Sequence, residues 1–309
     1  MEGGYSVFAV ERRKRMSSIH LKGFEYFEPD TVQETVSLLE EYGQDAQILA
    51  GGVDLIPRLR TGSINAAYLI NIGRIAGLDE ISFDKENGFT FGAMATLQRL
   101  AVCQELKNYF PCVQEAIQQI TSVQSKTMGT AVGNLCVATP ATDVAPALMA
   151  YDASLEIVGP GGARFVKVAD FYEGYRKTVL DHGEFVTRVL INTPAPGTGA
   201  AFLNRVRTHA DIAKVTVAAA VLMYGGVCKE ARIGLGAVAP KAFRAARAEA
   251  LLVGRTPDDA IAEAVEAAAA EAEPITDFRS TEEYRREMVR VLTRRALTKA
   301  FENAGRAVQ

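Results

Sequence analysis

Two turns of small residues constrain this chain most, because each follows an apolar run and leaves its backbone uncovered. They are residues 50–55 (AGGVDL) and 127–134 (TMGTAVGN). Glycine has no Cβ, so its amide can come close to a ligand, and consecutive free amides form a concave site for anions such as phosphates. Two such turns in one chain predict a ligand with two phosphates and long flanking arms, such as a dinucleotide.

Neither turn has the spacing of the established nucleotide motifs. The patterns G-x-G-x-x-G and G-x-x-x-x-G-K-[ST] are both absent from these turns. After the second turn, Asn134 can hydrogen-bond the turn or a ligand, and Asp143 is placed to accept a hydrogen bond from a ribose hydroxyl. The alternative is that Asp143 caps a helix or shapes a turn, since aspartate is common in both.

The composition indicates a globular protein with a large core. The chain has 309 residues, of which 48% are hydrophobic, and this length favours more than one domain. A net charge of −3 gives no support for a nucleic-acid surface. No apolar run approaches the ~20 residues that span a bilayer. No apolar segment follows the basic cluster at 12–15, so a secretory signal is not indicated and we expect a cytoplasmic protein.

The cysteines and histidines do not form a metal or catalytic pattern. The four cysteines lie far apart without a C-x-x-C pair, which disfavours a zinc or iron–sulfur site in this chain. They are Cys103, Cys112, Cys136 and Cys228. We interpret Cys136 as a small core residue, with contact to a cofactor as the alternative. The histidines His20, His182 and His209 are widely spaced, and no G-x-S-x-G elbow occurs. We therefore predict no metal site and no catalytic residue.

Periodicity predicts an α+β protein with a boundary at the Pro- and Gly-rich segment 193–199. Thr31 and Glu34 form a capping pair for a helix that Gly43 ends. Further helices are predicted over 96–106, 112–120, 257–273 and 282–301. Strands are predicted over 47–50, 68–72, 89–93, 155–158, 185–191, 200–207, 215–224 and 231–237. Mixed elements before the boundary, then strands followed by helices, favour α+β over a doubly wound sheet.

At these residues the chain resembles the FAD-binding medium subunits of molybdenum hydroxylases, which include xanthine dehydrogenase, aerobic carbon monoxide dehydrogenase and 4-hydroxybenzoyl-CoA reductase. The matching segments are 48–55, 129–135, 138–148, 171–178, 211–218, 236–240 and 275–279. The resemblance implies a two-subdomain FAD-binding fold of the vanillyl-alcohol-oxidase (PCMH) type over 20–193, with its subdomains split near 70. It also implies a smaller α+β C-terminal domain over 200–303, and it leaves 1–19 as an N-terminal extension.

The resemblance implies an FAD cofactor, and we expect it to be non-covalent because neither glycine turn contains a histidine. It assigns the cofactor site to Ile48, Leu49, Ala50, Gly51, Gly52, Val53, Asp54, Leu55, Ile120, Thr130, Ala131, Val132, Gly133, Asn134, Asp143 and Val186. Two positions depart from the family pattern. Val132 stands where a second glycine is usual, and Leu203 stands where many members have lysine.

The resemblance also implies partners and a reaction. A large molybdopterin-binding subunit would oxidise the substrate, a small subunit would carry two [2Fe-2S] clusters, and FAD here would pass electrons to NAD or another acceptor. The implied assembly is a heterotrimer doubled to a heterohexamer, with molybdopterin and iron–sulfur clusters on the partners only. One alternative is a stand-alone FAD-dependent oxidoreductase of the same fold. Another is a non-catalytic nucleotide-binding module.

Overall fold

The computed structural model describes residues 23–120, 122–208 and 211–307. The predicted N-terminal extension 1–19 with its basic cluster, together with His20 and His209, lies outside these residues. None of the helices in the described ranges is both long and apolar enough to cross a membrane.

The first part of the chain forms a small parallel sheet in the order β1-β3-β2. Its strands are β1 (Glu25–Phe27), β2 (Ala46–Leu49) and β3 (Tyr68–Asn71). Helix α1 (Val32–Tyr42) connects β1 to β2, and α2 (Leu55–Arg60) connects β2 to β3. The first glycine turn therefore lies between the end of a strand and the start of a helix.

Helix α1 begins and ends at the capping residues that the sequence predicts. The Thr31 Oγ1 atom accepts a hydrogen bond from the Glu34 amide at 3.1 Å, and the Glu34 carboxylate accepts one from the Asp30 amide at 3.0 Å. These bonds satisfy amides at the helix start that lack intrahelical partners. Gly43 ends the helix with a φ of +52°, so the prediction for this helix is confirmed.

A five-stranded antiparallel sheet follows, in the order β4-β5-β10-β6-β7. Its strands are β4 (Ile81–Asp84), β5 (Gly88–Gly92), β6 (Ser154–Gly159), β7 (Gly162–Lys167) and β10 (Phe185–Ile191). The short hairpin β8 (Tyr172–Gly174) and β9 (Lys177–Thr178) precedes β10. Between β5 and β6 lie α3 (Leu97–Ala101), α4 (Gln104–Tyr109), α5 (Pro111–Gln119), α6 (Val123–Met128), α7 (Ala131–Cys136) and α8 (Ala145–Ala150). This sheet and its helices share one hydrophobic core.

The single helix predicted over 96–106 is wrong, because the structure has two helices there. Helix α3 ends at Ala101, and Cys103 has extended backbone with a ψ of 121° before α4 begins. The apolar residues Leu100 and Leu106 are both fully buried. A break in the helix axis lets both of them reach the same core, and the intervening Val102 is left 71% exposed.

The C-terminal part has a four-stranded antiparallel sheet in the order β11-β12-β13-β14, followed by helices. The strands are β11 (Thr198–Arg205), β12 (Val215–Tyr224), β13 (Val227–Gly236) and β14 (Phe243–Arg244). The helices are α9 (Ala246–Leu252), α10 (Pro257–Glu271) and α11 (Glu282–Ala307). Helix α11 packs on β11 and β12 and closes a second hydrophobic core. The α+β prediction, with strands then helices in this part, is confirmed.

Candidate functional site

The first glycine turn presents free backbone amides at the end of β2. Gly52 has a φ of +69°, a left-handed conformation that favours glycine. The Gly52 carbonyl accepts a hydrogen bond from the Ile56 amide at 3.0 Å and so fixes the turn to α2. In the described part of the chain, the amides of Gly51, Gly52 and Val53 donate to no acceptor. Three successive N–H groups are therefore available to an anion.

The second glycine turn is held rigidly by hydrogen bonds. The Thr130 hydroxyl accepts a bond from the Gly133 amide at 3.0 Å and caps α7. A Cβ on Gly133 would lie 2.8 Å from that hydroxyl oxygen, so the cap requires glycine. The Gly129 carbonyl accepts a bond from the Leu97 amide at 2.9 Å. Residues 131–134 belong to the first turn of α7, so the prediction of an open turn is wrong there, and the side chains of Ala131 and Val132 are buried in the core. The Ala131 amide donates to the Ala95 carbonyl at 3.4 Å, so this segment does not present a run of free amides as the first turn does.

The two turns touch each other. A Cβ on Gly51 would lie 1.9 Å from the Met128 carbonyl oxygen, and one on Gly129 would lie 3.5 Å from the Val53 side chain. The sequence suggested that Gly51 serves close approach of a ligand. The structure adds a different reason, because the backbone of one turn occupies the space where a Gly51 side chain would lie.

Positive charge borders the first turn. The Asp54 carboxylate lies 3.2 Å from the Arg58 guanidinium and 3.5 Å from that of Arg176. Two cations share one carboxylate, so this side of the site carries net positive charge, which favours a phosphate. The sequence analysis missed both arginines as site residues. The i,i+4 spacing of Asp54 and Arg58 was a usable signal, whereas nothing local connects Arg176 to a turn 122 residues away.

The backbone of Arg176 is held by a hydrogen bond to a second residue that, like Arg176, has left-handed backbone. Its amide donates a hydrogen bond to the Ala138 carbonyl at 2.7 Å, and both residues have left-handed backbone, with φ of +54° and +51°. Such strain persists only where the surroundings fix it, and it is frequent at functional sites. This contact brings the β8–β9 hairpin against the segment that follows α7.

Asn134 and Asp143 lie together beside the second turn. The Asn134 side-chain amide donates to the Asp143 carboxylate at 3.3 Å, and its carbonyl oxygen accepts from the Val144 amide at 3.4 Å. Burial raises the pKa of Asp143 to about 6, although the Asn134 donor works against this rise. In the described structure Asp143 makes no capping bond to α8, whose cap is Val144. The helix-cap alternative for Asp143 is therefore wrong, whereas the alternative of a turn residue stays open, since Asp143 lies in a bend before α8.

Cys136 corrects a prediction, because its side chain is exposed rather than in the core. Desolvation nevertheless raises the pKa of its thiol to about 12. The thiol of Cys136 is therefore neutral at physiological pH.

The neighbouring Tyr172 is 2% exposed, and its hydroxyl has no partner among the residues that the structure describes. Burial, with a smaller contribution from Cys136, raises the pKa of this hydroxyl. A buried hydroxyl without a partner is costly, so Tyr172 marks a place where a bound molecule would supply a hydrogen bond.

The other residues predicted for the cofactor site lie in β2, in the first turn and in β10. Ile48 and Leu49 are half-buried in β2 and lead into the first turn, while Ala50 and Leu55 flank its glycines. Val186 is 3% exposed in β10, the strand against which α7 packs.

Ile120 is half-buried and follows α5 against the same core. Within residues 23–120, 122–208 and 211–307, no group of three or more His, Cys, Asp or Glu side chains is arranged to hold a metal ion.

The free amides, the excess of positive charge, the Asp143 carboxylate and the unpartnered Tyr172 hydroxyl fit a dinucleotide with a pyrophosphate. Two family models match the chain. The FAD binding domain in molybdopterin dehydrogenase matches residues 22–194, and the CO dehydrogenase flavoprotein C-terminal domain matches residues 200–300. FAD is thus the dinucleotide, as predicted.

Curated relatives and solved structures agree with these matches. The carbon monoxide dehydrogenase medium chain of Afipia carboxidovorans is 34% identical over 90% of this chain and 96% of its own length. The xanthine dehydrogenase FAD-binding subunit of Escherichia coli O157:H7 is 26% identical over 92% and 98%.

The carbon monoxide dehydrogenase structure from Oligotropha carboxidovorans matches with a TM-score of 0.88 at 33% identity, over 92% of this chain and 99% of that chain. Quinoline 2-oxidoreductase from Pseudomonas putida 86 matches with a TM-score of 0.84 at 30% identity, over 94% and 100%. The predicted family and oxidoreductase class are confirmed: the chain belongs to the FAD-binding subunits of the molybdenum hydroxylase family.

Proposed function

We propose that this chain is the electron-transfer subunit of a cytoplasmic molybdenum-containing dehydrogenase. It takes electrons from [2Fe-2S] clusters on a small partner subunit and passes them to NAD or another acceptor, while a large molybdopterin-binding subunit oxidises the substrate. The observation that carries this proposal is the pair of joined glycine turns, which offers backbone amides and positive charge for a dinucleotide.

Each part of the site has a distinct task in holding FAD. The amides of Gly51, Gly52 and Val53 bind the pyrophosphate, and Arg58 and Arg176 offset its negative charge. The remaining residues assigned from the sequence, including Asp143 on the nucleotide side and Val186 on the core side, complete the walls. When bound, FAD supplies the ability to exchange one or two electrons. The protein residues bind it without a covalent bond and orient it.

The surface beside the turns supports an assembly with partners. Val53 and Met128 belong to the joined turns and are 43% and 60% exposed. Exposed apolar side chains beside a cofactor site suit contact with a partner subunit. The relatives include carbon monoxide and glyceraldehyde dehydrogenase medium chains and a subunit of a 6-hydroxypseudooxynicotine dehydrogenase complex. We propose a heterotrimer with the large and small subunits, doubled to a heterohexamer.

The experiment compares the purified complex with the isolated chain under anaerobic conditions. Substrate for the complex is identified by screening aldehydes, purines and carbon monoxide, and flavin bleaching is followed in the visible spectrum. We expect bleaching in the complex and none in the isolated FAD-loaded chain. Equal bleaching rates in both would overturn the proposal and favour a stand-alone oxidoreductase, which must carry its own substrate pocket.

A further inference from the structure

A buried arginine in the C-terminal part makes contacts that reach towards the cofactor site. The Arg285 side chain on α11 is 6% exposed. Its Nη1 atom donates to the Ala237 carbonyl at 2.8 Å and to the Lys214 carbonyl at 3.1 Å. Its Nη2 atom donates to the Asp277 carboxylate at 2.8 Å. One guanidinium thus fixes the start of β12, the end of β13 and the turn before α11.

The Asp277 carboxylate that pairs with Arg285 is itself fixed. Its Oδ1 atom also accepts from the Arg279 amide at 2.9 Å and the Ser280 amide at 3.1 Å. Burial acts to raise the pKa of Asp277, but these amides and Arg285 outweigh it and hold the pKa below its ordinary value. Asp277 is therefore an anion at neutral pH, and its turn gives Arg285 a rigid anchor.

Ala237 connects Arg285 to the FAD-binding part of the chain. Its carbonyl accepts the Arg285 bond, while its amide donates to the Pro140 carbonyl at 2.6 Å. Ala237 has left-handed backbone with a φ of +62°. A strained alanine persists only where its surroundings fix it on both sides. Pro140 lies three residues before Asp143, in the segment that leads from the second glycine turn to α8.

Two glycines in β13 show that the end of this strand packs closely against the segment Pro140–Pro146. A Cβ on Gly234 would lie 2.2 Å from the Pro146 carbonyl oxygen, and one on Gly236 would lie 3.0 Å from the Pro146 ring. The end of β13 is thus pressed on both ends of the segment Pro140–Pro146, which contains Asp143. Packed interiors transmit small displacements, so a shift of Ala237 displaces Asp143.

We propose that Arg285 is a positioning residue for the FAD site, acting through Ala237 and Pro140 on the segment that carries Asp143. The proposal rests on the assignment of Asp143 to the cofactor site. It gives the C-terminal part of the chain a role in cofactor affinity, since Arg285 holds the carbonyl of the strained Ala237 backbone while Pro140 holds its amide.

The test compares Arg285→Met with Val289→Ala in the full chain within its native assembly. Val289 lies one turn further along α11, is fully buried and belongs to the C-terminal core. FAD is removed, the dissociation constant is measured by flavin-fluorescence titration, and Tm is measured separately. We expect Arg285→Met to raise the dissociation constant at least tenfold and Val289→Ala less than twofold at a comparable loss of Tm. We also expect Arg285→Met, saturated with FAD, to alter the visible circular dichroism of the flavin.

Arg285→Lys keeps the charge but has one donor group instead of the planar fork, so it should fall between wild type and Arg285→Met. If Arg285→Met does not fold, Arg285→Lys decides the question: a wild-type dissociation constant overturns the proposal. Equal effects of Arg285→Met and Val289→Ala at equal Tm loss also overturn it. The variant Asp143→Asn distinguishes the assignment of Asp143 to the cofactor site from the positioning role of Arg285. If it leaves FAD affinity unchanged, the assignment of Asp143 fails. If it weakens FAD but the Arg285 variants do not, only the role of Arg285 fails.

Discussion

Replacing Gly51 with alanine tests whether the two glycine turns act as one site. The new Cβ would lie 1.9 Å from the Met128 carbonyl oxygen and 2.8 Å from its carbonyl carbon. A Cβ essentially never comes within 3.0 Å of such atoms, so the turns must separate by about 1 Å. Overpacking of this kind costs roughly 1–3 kcal/mol of stability.

The separation of the turns caused by Gly51→Ala also weakens FAD binding. A hydrogen bond from a backbone amide to a charged group contributes about 1.5–3 kcal/mol. Moving the turn by about 1 Å takes at least one of its amides out of range, which weakens FAD binding about ten- to a hundredfold. We expect Gly51→Ala to retain its far-UV circular dichroism while its FAD dissociation constant rises by that factor.

The matched control is Gly161→Ala, at the turn between β6 and β7. A Cβ there meets no atom within 4 Å, and its φ is outside the left-handed region. We expect this variant to bind FAD as wild type does. Wild-type FAD affinity and wild-type Tm in Gly51→Ala would refute the contact between the turns, and equal weakening in both variants would show that the effect is not specific to the site.

Four further outcomes follow from the structure. Gly52→Ala and Gly62→Ala introduce the same backbone strain, because both glycines have a φ of +69°, but only Gly52→Ala should weaken FAD in a binding titration. Without FAD, the raised pKa of Asp143 means that the folded chain binds a proton that the unfolded chain releases, so stability falls as pH rises from about 4 to 6. Asp143→Asn should remove this slope from thermal melts, and an unchanged slope would contradict the burial of the carboxyl. Thr31→Ala removes the α1 cap and should cost about 1 kcal/mol in denaturant unfolding without changing FAD affinity. Acid precipitation should release the flavin into the supernatant, and colour retained in the washed pellet would show covalent attachment.

Local signals in the sequence were sufficient for the elements whose ends are set by nearby residues. The capping pair Thr31 and Glu34 and the terminal Gly43 define α1 without help from the rest of the chain. The segment 96–106 shows the limit of such signals. Its apolar spacing fits one helix, but two helices bury Leu100 and Leu106 against a core formed by distant strands. Periodicity within the segment does not contain that information.

Some features of the candidate site could likewise be predicted from local sequence signals, and others could not. The glycine turns and Asp143 could be found from the sequence, because turn chemistry is local and the family motifs have a regular order. The contact of Gly51 with Met128, the approach of Arg176 to Asp54 and the exposure of Cys136 depend on how distant segments pack. The side chain of Arg285 likewise reaches Ala237 across 48 residues, so only the folded chain reveals its place behind the site.

The structure of the FAD-loaded chain is the most direct test of the account. We expect the pyrophosphate oxygens to lie within hydrogen-bond distance, about 2.7–3.2 Å, of the amides of Gly51, Gly52 and Val53. We also expect Asp143 to accept a hydrogen bond from the nucleotide part. Pyrophosphate bound away from both glycine turns, with those amides still free, would contradict the central claim that the joined turns form the cofactor site.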